Sequence, residues 1–287
     1  MNTKILVTGA TGTIGSSVMD GLRKKGAEFV ALVRTEEKAL NLNKKGIDAV
    51  IGDFGDKESL RKALDGVGKI FLLSVTSPEI PRLQGNVVDV AREKGIRHIV
   101  KLSAQGAAPD SKIGIARFHY QTEQYIRKSG IPFTFLQPQA FMQNLIFDKD
   151  TILQQGDIYA QAGEGKIAMV DARDIAAVAV EALLNDGHEG KTYVLTGPEA
   201  ISYYDIAEAF SKALGRTITY IPVTSVQSRS SMLEAGMPDW LVEDLVAVNL
   251  EHAAGLAEAV SPDVEKVTGR KGYTIQDFVK DYIHLFK

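Results

Sequence analysis

The chain has 287 residues, of which 45% are apolar and 24% charged, with a formal net charge of −3 and no cysteine. The absent cysteines exclude disulfides, thiolate nucleophiles and cysteine-bound metal, and the slightly acidic balance argues against nucleic acid as a partner. The 5 histidines lack metal-ligand spacing, and no apolar run reaches the roughly 18–20 residues of a membrane span, so a cytoplasmic protein with neither bound metal nor membrane contact is expected.

The first half alternates strand-like and helical patterns. "KILVT" (residues 4–8) is a short β-rich run, and because it enters a glycine loop almost at once the N-terminus does not read as a signal peptide. The following helix carries Ile14, Val18 and Leu22 at spacing four, one face toward a sheet. "FVALV" (29–33), a polar helix, "DAVIG" (48–52) and a short helix capped by Asp56 come next. "KIFLLS" (69–74) and "HIVKLS" (98–103) bracket a helix bearing Leu83, Val87 and Ala91, and a long helix around 113–129 precedes "FTFLQ" (133–137). Strands separated by helices of this length form parallel pairs through right-handed crossovers, and nearly continuous apolar strands mean that both sheet faces are covered. The pattern predicts an α/β fold with a doubly wound parallel sheet and a smaller C-terminal α/β lobe.

After about residue 150 the rhythm loosens. "IAMV" (167–170) and the Ala-rich helix near Asp174 read as extensions of the main sheet domain. "TYVLTG" (192–197), a helix with a Ser202/Asp205 capping box, "TITYIPV" and two further helices, the last over 274–285, complete the chain. Residues 1–155, together with about 166–187, are expected to form a nucleotide-binding domain, and 156–287 mainly a substrate lobe. Neither a Pro/Gly-rich linker nor a repeat divides them.

"ILVTGATGTIG" (5–15) places Gly9, Gly12 and Gly15 between the first strand and its helix. Such a loop offers backbone N–H groups and the positive helix end to an anion, and glycines let a pyrophosphate approach closely. Thr11, Thr13 and Ile14 lie in the same loop, so the stretch is expected to hold a dinucleotide. At the end of the second strand, where a ribose-binding acid serves NAD, the chain has Arg34. A guanidinium suits a 2′-phosphate, so NADP(H) is favoured over NAD(H). Ligands of such sheets sit beyond the strands' carboxyl ends, which selects Asp53, Phe54, Leu73, Ser74, Val75, Ser103, Gln137, Pro138 and Gln139. Asp53 serves either an adenine amino group or a helix N-terminus.

With "VTGATGTIG", "LVR", "GDFGDKESL", "GIRHIVKLSAQGA", "FHYQTEQYIRKSGIPFTFLQPQAFMQNL" and "VDARDIAAVAVEAL" in this order, the chain resembles the atypical short-chain dehydrogenases/reductases, and within them the NmrA-like group. That group includes NADPH-dependent quinone, triphenylmethane and azo-dye reductases. The resemblance implies a Rossmann domain whose glycine loop, Arg34, residues 73–75 and the stretch Pro138, Gln139, Ala140, Phe141, Met142 and Gln143 contact the cofactor. Gln139, Phe141, Met142 and Asn144 are expected at the nicotinamide end, although Phe141 and Met142 also suit a core.

One departure stands out. Members of the wider superfamily carry Tyr-x-x-x-Lys on the helix after the fifth strand, and here the corresponding positions are Ile115 and His119. Tyr120 and Tyr125 are followed four residues on by Gln124 and Ser129. Two readings remain. In the first, hydride passes to a small conjugated acceptor that needs little proton assistance, with His119, four residues from Glu123, as the candidate proton donor or orienting group. In the second, the protein is an NAD(P)-binding redox sensor with a protein partner. Asp171 and Asp174 read as a turn and a helix cap rather than a metal site, and Met232, Met237, Trp240 and Leu241 as either a pocket wall or small-lobe core. A homodimer stays open.

Overall fold

The computed structural model describes residues 3–287. Strands β1 (Lys4–Val7), β2 (Phe29–Val33), β3 (Ala49–Ile51), β4 (Val67–Leu72), β5 (His98–Leu102) and β6 (Phe133–Pro138) alternate with helices α1 (Thr13–Lys24), α2 (Glu36–Asn43), α3 (Lys57–Ala63), α4 (Ile80–Glu93) and α5 (Gly114–Ser129). Then follow α6 (Lys149–Gln154), β7 (Asp157–Ala160), α7 (Ala172–Leu184), β8 (Lys191–Leu195), α8 (Tyr203–Leu214), β9 (Thr219–Pro222), α9 (Ser225–Glu234), α10 (Asp239–Ala253), α11 (Asp263–Thr268) and α12 (Ile275–Tyr282). Among the described residues no helix is long and apolar enough to cross a membrane, and no acid or histidine cluster suits a metal ion.

The main sheet has seven strands in the order β3-β2-β1-β4-β5-β6-β8. Ile5 pairs with Phe29 and with Lys69, Ile70 with Ile99, and Val100 with Thr134, all in parallel ladders. Consecutive β1 residues Ile5, Leu6 and Val7 are all buried, so both sheet faces are covered, as an uninterrupted apolar strand requires. On one face Leu6, Leu32 and Ile70 pack with Leu60 and Leu64 of the α3 region, Val87 and Val88 of α4, and Ile126 of α5. The strand order turns back between β1 and β4, and such a switch point opens a crevice at the strands' carboxyl ends.

The chain divides into two compact units: residues 1–111, 115–138 and 175–194, and residues 112–114, 139–174 and 195–287. Apart from residues 112–114, the chain first passes into the second unit at Pro138/Gln139, where it leaves β6, so the expected boundary near residue 155 lies inside that unit. In the second unit β7 and β9 form a parallel pair, packed with α8 and α12 around Phe210, Phe278 and Phe286. Residues 167–170, expected beside the main sheet, belong to this unit, where they form the isolated bridges Phe141–Val170 and Ile167–Ile201 and a backbone bond from Ala168 N–H to Ala257 O (2.9 Å). Four helices rather than two follow β9. The capping box of α8 is present, with Asp205 N–H donating to Ser202 Oγ (3.2 Å), and Thr274 caps α12 in the same way.

Candidate functional site

A cavity of about 380 Å³ in the first unit is lined by Gly9, Ala10, Thr11, Leu32, Val33, Arg34, Lys38, Gly52, Asp53, Phe54, Leu73, Ser74, Val75, Ser77 and Leu83. It gathers the ends of β1, β2, β3 and β4 with the loops that leave them. Gly9 sits at φ +62°, and a Cβ there would lie 2.7 Å from Leu73 Cγ, so both backbone conformation and space require glycine. A Cβ on Gly15 would collide with the Gly9 carbonyl oxygen. Gly12 N–H closes the loop onto Gly9 O (3.0 Å), and no side chain caps α1. Bare amides at a helix N-terminus, in a cradle that a Cβ would fill, fit the diphosphate of a dinucleotide. Thr8 fastens this loop to the end of β4, its hydroxyl accepting from Leu73 N–H (2.8 Å).

Arg34 and Lys38 are exposed at the rim, and neither side chain forms an ion pair among the described residues. Lys38 was not anticipated; its signal was its place one turn into the helix that follows Arg34. Asp53 is exposed and lines the cavity, with Oδ1 accepting from Gly55 N–H (2.6 Å). The cap of α3 is Asp56, as expected, its Oδ1 accepting from Glu58 N–H (2.9 Å). Asn86 holds the carbonyl of Phe54 (2.8 Å), and Gln84 donates to Ser74 Oγ (2.9 Å). Ser77, in the loop after β4, and Leu83, on α4, complete the lining.

Beneath α5 lies a second polar group in the same unit. Ser103 Oγ donates to Glu123 Oε1 (2.5 Å), and Gln137 Nε2 donates to the same oxygen (2.9 Å). Both anchor a buried carboxylate and stand outside the lining of this cavity. Glu123 is thereby occupied, and His119 meets a different partner: its Nδ1 lies 2.8 Å from Lys101 Nζ. Lys101 is wholly buried, its Nζ also donating to Leu102 O (2.9 Å). Burial pushes the Lys101 ammonium down to about 7, opposed by the Glu123 charge. Burial and the Lys101 cation together hold His119 well below the usual histidine range. The one hint of this group in the sequence was a lysine inside the apolar run "HIVKLS".

Residues 139–143 belong to the second unit. Gln139 N–H donates to Leu195 O (2.9 Å), and Gln139 Oε1 accepts from Ala140 N–H (3.0 Å). Met142 is buried in that unit's core. Gln143 bridges Asp171 Oδ1 (2.9 Å) and Ala172 N–H (2.8 Å). Helix α7 begins at Ala172, so its N-terminal acid is Asp171, which accepts from Arg173 N–H (2.8 Å). Asp174, expected to cap the helix, lies inside the first turn and binds Tyr273 N–H (2.8 Å) and Arg270 (2.7 Å). The wholly buried Asp171 pairs with Arg173 (2.7 Å), whose guanidinium also reaches Asp281 and stacks on Tyr273. This network ties α7 to the C-terminal segment. Met232, Trp240 and Leu241 are half-buried and Met237 exposed, so none of the four is deep core.

The chain belongs to the NmrA-like family, whose model matches residues 1–278. It is 39% identical over 282 residues to an NAD(P)H azoreductase of Xenophilus azovorans, covering 98% of this chain and 99% of the relative. An NADPH-dependent quinone oxidoreductase of Escherichia coli, crystallised with NADPH, superposes with a TM-score of 0.88 at 31% identity, covering 99% of this chain and all of that one (100%). A Citrobacter triphenylmethane reductase crystallised with NADP(H) superposes with a TM-score of 0.85 at 29% identity, covering 97% of this chain and 99% of that one.

Proposed function

We propose that this protein is an NADPH-dependent reductase of small conjugated acceptors, such as quinones and azo or triphenylmethane dyes. The observation that carries the reading is the cradle of glycine amides beside two unpaired cations, Arg34 and Lys38, on one cavity. Its support from outside the chain is the chemistry printed in the names of the azoreductase, the quinone oxidoreductase and the triphenylmethane reductase, each given with a nicotinamide cofactor.

In this reading the free amides of residues 13–15 seat the diphosphate, with Gly12 closing the loop beneath them, and Arg34 and Lys38 hold the 2′-phosphate through charge-assisted bonds. Asp53 Oδ2 takes the adenine amino group while Phe54 flanks the base, and Leu73, Ser74 and Val75 line the path along β4. Gln139, Ala140 and Phe141 follow β6 toward the nicotinamide end; Met142 and Gln143 act from behind, as core and as a brace for Asp171. When bound, NADPH supplies a hydride. No Tyr-x-x-x-Lys pair stands on α5, so the acceptor is one whose developing charge is spread over a conjugated system, and His119 supplies the proton. The second unit is the substrate lobe, with the half-exposed apolar faces of α9 and α10 as walls for a planar molecule.

The experiment is to mix purified protein with NADPH and a panel of quinones and dyes and follow the loss of reduced nicotinamide absorbance. Protein-dependent oxidation with at least one class is expected. Tight NADPH binding without turnover of any acceptor overturns the reductase reading and identifies a sensor.

A further inference from the structure

We propose that Lys101 and His119 form a proton relay in which the strand lysine holds the proton and the helix imidazole passes it on. Placing a lysine among apolar strand residues is costly, and an apolar side chain of similar length would serve stability at least as well. Lys101 has no exposed surface, whereas His119 keeps 9%, so the imidazole is the member that communicates with the outside. Lys101 is wholly buried and stands outside the lining of the nucleotide cavity, and is therefore a positioning and proton-storing residue, acting through His119.

The hydrogen bonds define the proton inventory. An ammonium only donates, and Lys101 Nζ has two acceptors in reach, Leu102 O at 2.9 Å and His119 Nδ1 at 2.8 Å. With Nδ1 accepting, the neutral ring carries its single hydrogen on Nε2. The charged group facing this pair is Glu123, on α5, and its oxygen is held by Ser103 and Gln137, so its charge offsets the ammonium without capturing the imidazole.

An acceptor that has gained its electron pair with the hydride takes the Nε2 proton. In the same step the ammonium delivers a proton to Nδ1. The Nζ–H and Nε2–H bonds break, and the Nδ1–H and acceptor–H bonds form. A neutral amine and a neutral imidazole remain, so neither imidazolate nor imidazolium is stranded in the interior. Solvent restores the pair by the reverse route through Nε2. The downward displacement of Lys101 to about 7 makes that proton transferable near neutrality.

The direction of proton flow rests on the reductase reading, but the state of the pair can be measured without turnover. In protein labelled with ¹⁵N-histidine, long-range proton–nitrogen correlation at neutral pH is expected to show His119 as the Nε2–H tautomer with Nδ1 accepting. Lys101→Met is expected to abolish the Nδ1 acceptor shift and to raise the pH at which His119 titrates. With an acceptor dye, the same variant is expected to lose at least about tenfold in kcat and the neutral inflection of its pH profile, while NADPH affinity stays within about twofold, the scatter of surface changes.

Lys101→Arg, which donates but does not release a proton, is expected to restore the tautomer without restoring kcat; full rescue by arginine would reduce Lys101 to a structural strut. A wild-type ring protonated on Nδ1, or a folded Lys101→Met enzyme with an unchanged pH profile, overturns the relay. Should Lys101→Met not fold, His119→Gln must lose the same inflection, and its retention overturns the relay equally. If the wild type binds NADPH but reduces nothing, the reductase reading fails, while an Nε2–H ring coupled to Lys101 still upholds the pair and an Nδ1–H ring removes it.

Discussion

Replacing Arg34 by alanine tests the assignment of the cavity rim most directly. The guanidinium is exposed, lines the cavity and forms no ion pair among the described residues, so its removal breaks no structural bond and leaves the fold intact. A hydrogen bond to a charged group contributes about 1.5–3 kcal/mol, and exposure to solvent places this one near the lower figure. The expected loss in NADPH affinity is therefore roughly tenfold, since about 1.4 kcal/mol corresponds to one decade. Lys38 stands on the same rim, and the Arg34→Ala/Lys38→Ala double variant should lose roughly 30- to 150-fold, or about 2–3 kcal/mol. NADH, lacking the 2′-phosphate, should bind all three proteins alike. Fluorescence titration of NADPH and NADH at two ionic strengths gives the answer, and the NADPH term should shrink as salt rises. Equal losses for the two cofactors would show that these cations do not read the phosphate.

Other outcomes follow from the same geometry. Gly15→Ala drives a methyl group against the Gly9 carbonyl, so the loop must open; thermal melting should show a loss of about 1–3 kcal/mol and calorimetry a loss of nucleotide binding, and wild-type affinity would refute the cradle. Asp171→Ala removes a wholly buried carboxylate that serves Gln143 and Arg173, and should cost about 3 kcal/mol in urea unfolding; a change near zero would mean that the network contributes nothing net. His98 and His252 are held down to about 4 by burial, below their unfolded value near 6.5. The unfolded chain thus binds more protons between these values, so stability is full above about pH 6.5 and falls as pH drops toward 4, by up to about 3 kcal/mol per residue. Melting curves from pH 7.5 to 4.5 check the sign, and His98→Gln should flatten the decline.

The geometry of the glycine loop was readable because it is local. A strand, three glycines and a helix lie within a dozen consecutive residues, and the backbone requirement at Gly9 is met or failed there. Arg34 was readable for the same reason, standing where a strand ends. Lys38 and Leu83 were not, since a helix pattern does not say which flank a neighbouring loop will leave open. The run 167–170 has the composition of a strand but no strand beside it, and composition alone does not supply a partner. The caps show how fine the margin is: Ser202 and Asp56 act within three residues of themselves and were placed correctly, while a helix beginning slightly before the expected position moved the capping role from Asp174 to Asp171.

By itself, then, the sequence determined the alternation of strands and helices, the bare-amide loop and the cation after β2, because each depends on torsion angles and hydrogen bonds between near neighbours. Tertiary structure decided who faces whom: His119 against Lys101 rather than Glu123, Glu123 against Ser103 and Gln137, Gln143 beneath Asp171. Those pairings span 14 to 28 residues of chain. They follow from the packing of whole elements, in which a buried polar group takes whichever partner the fold brings within hydrogen-bond reach.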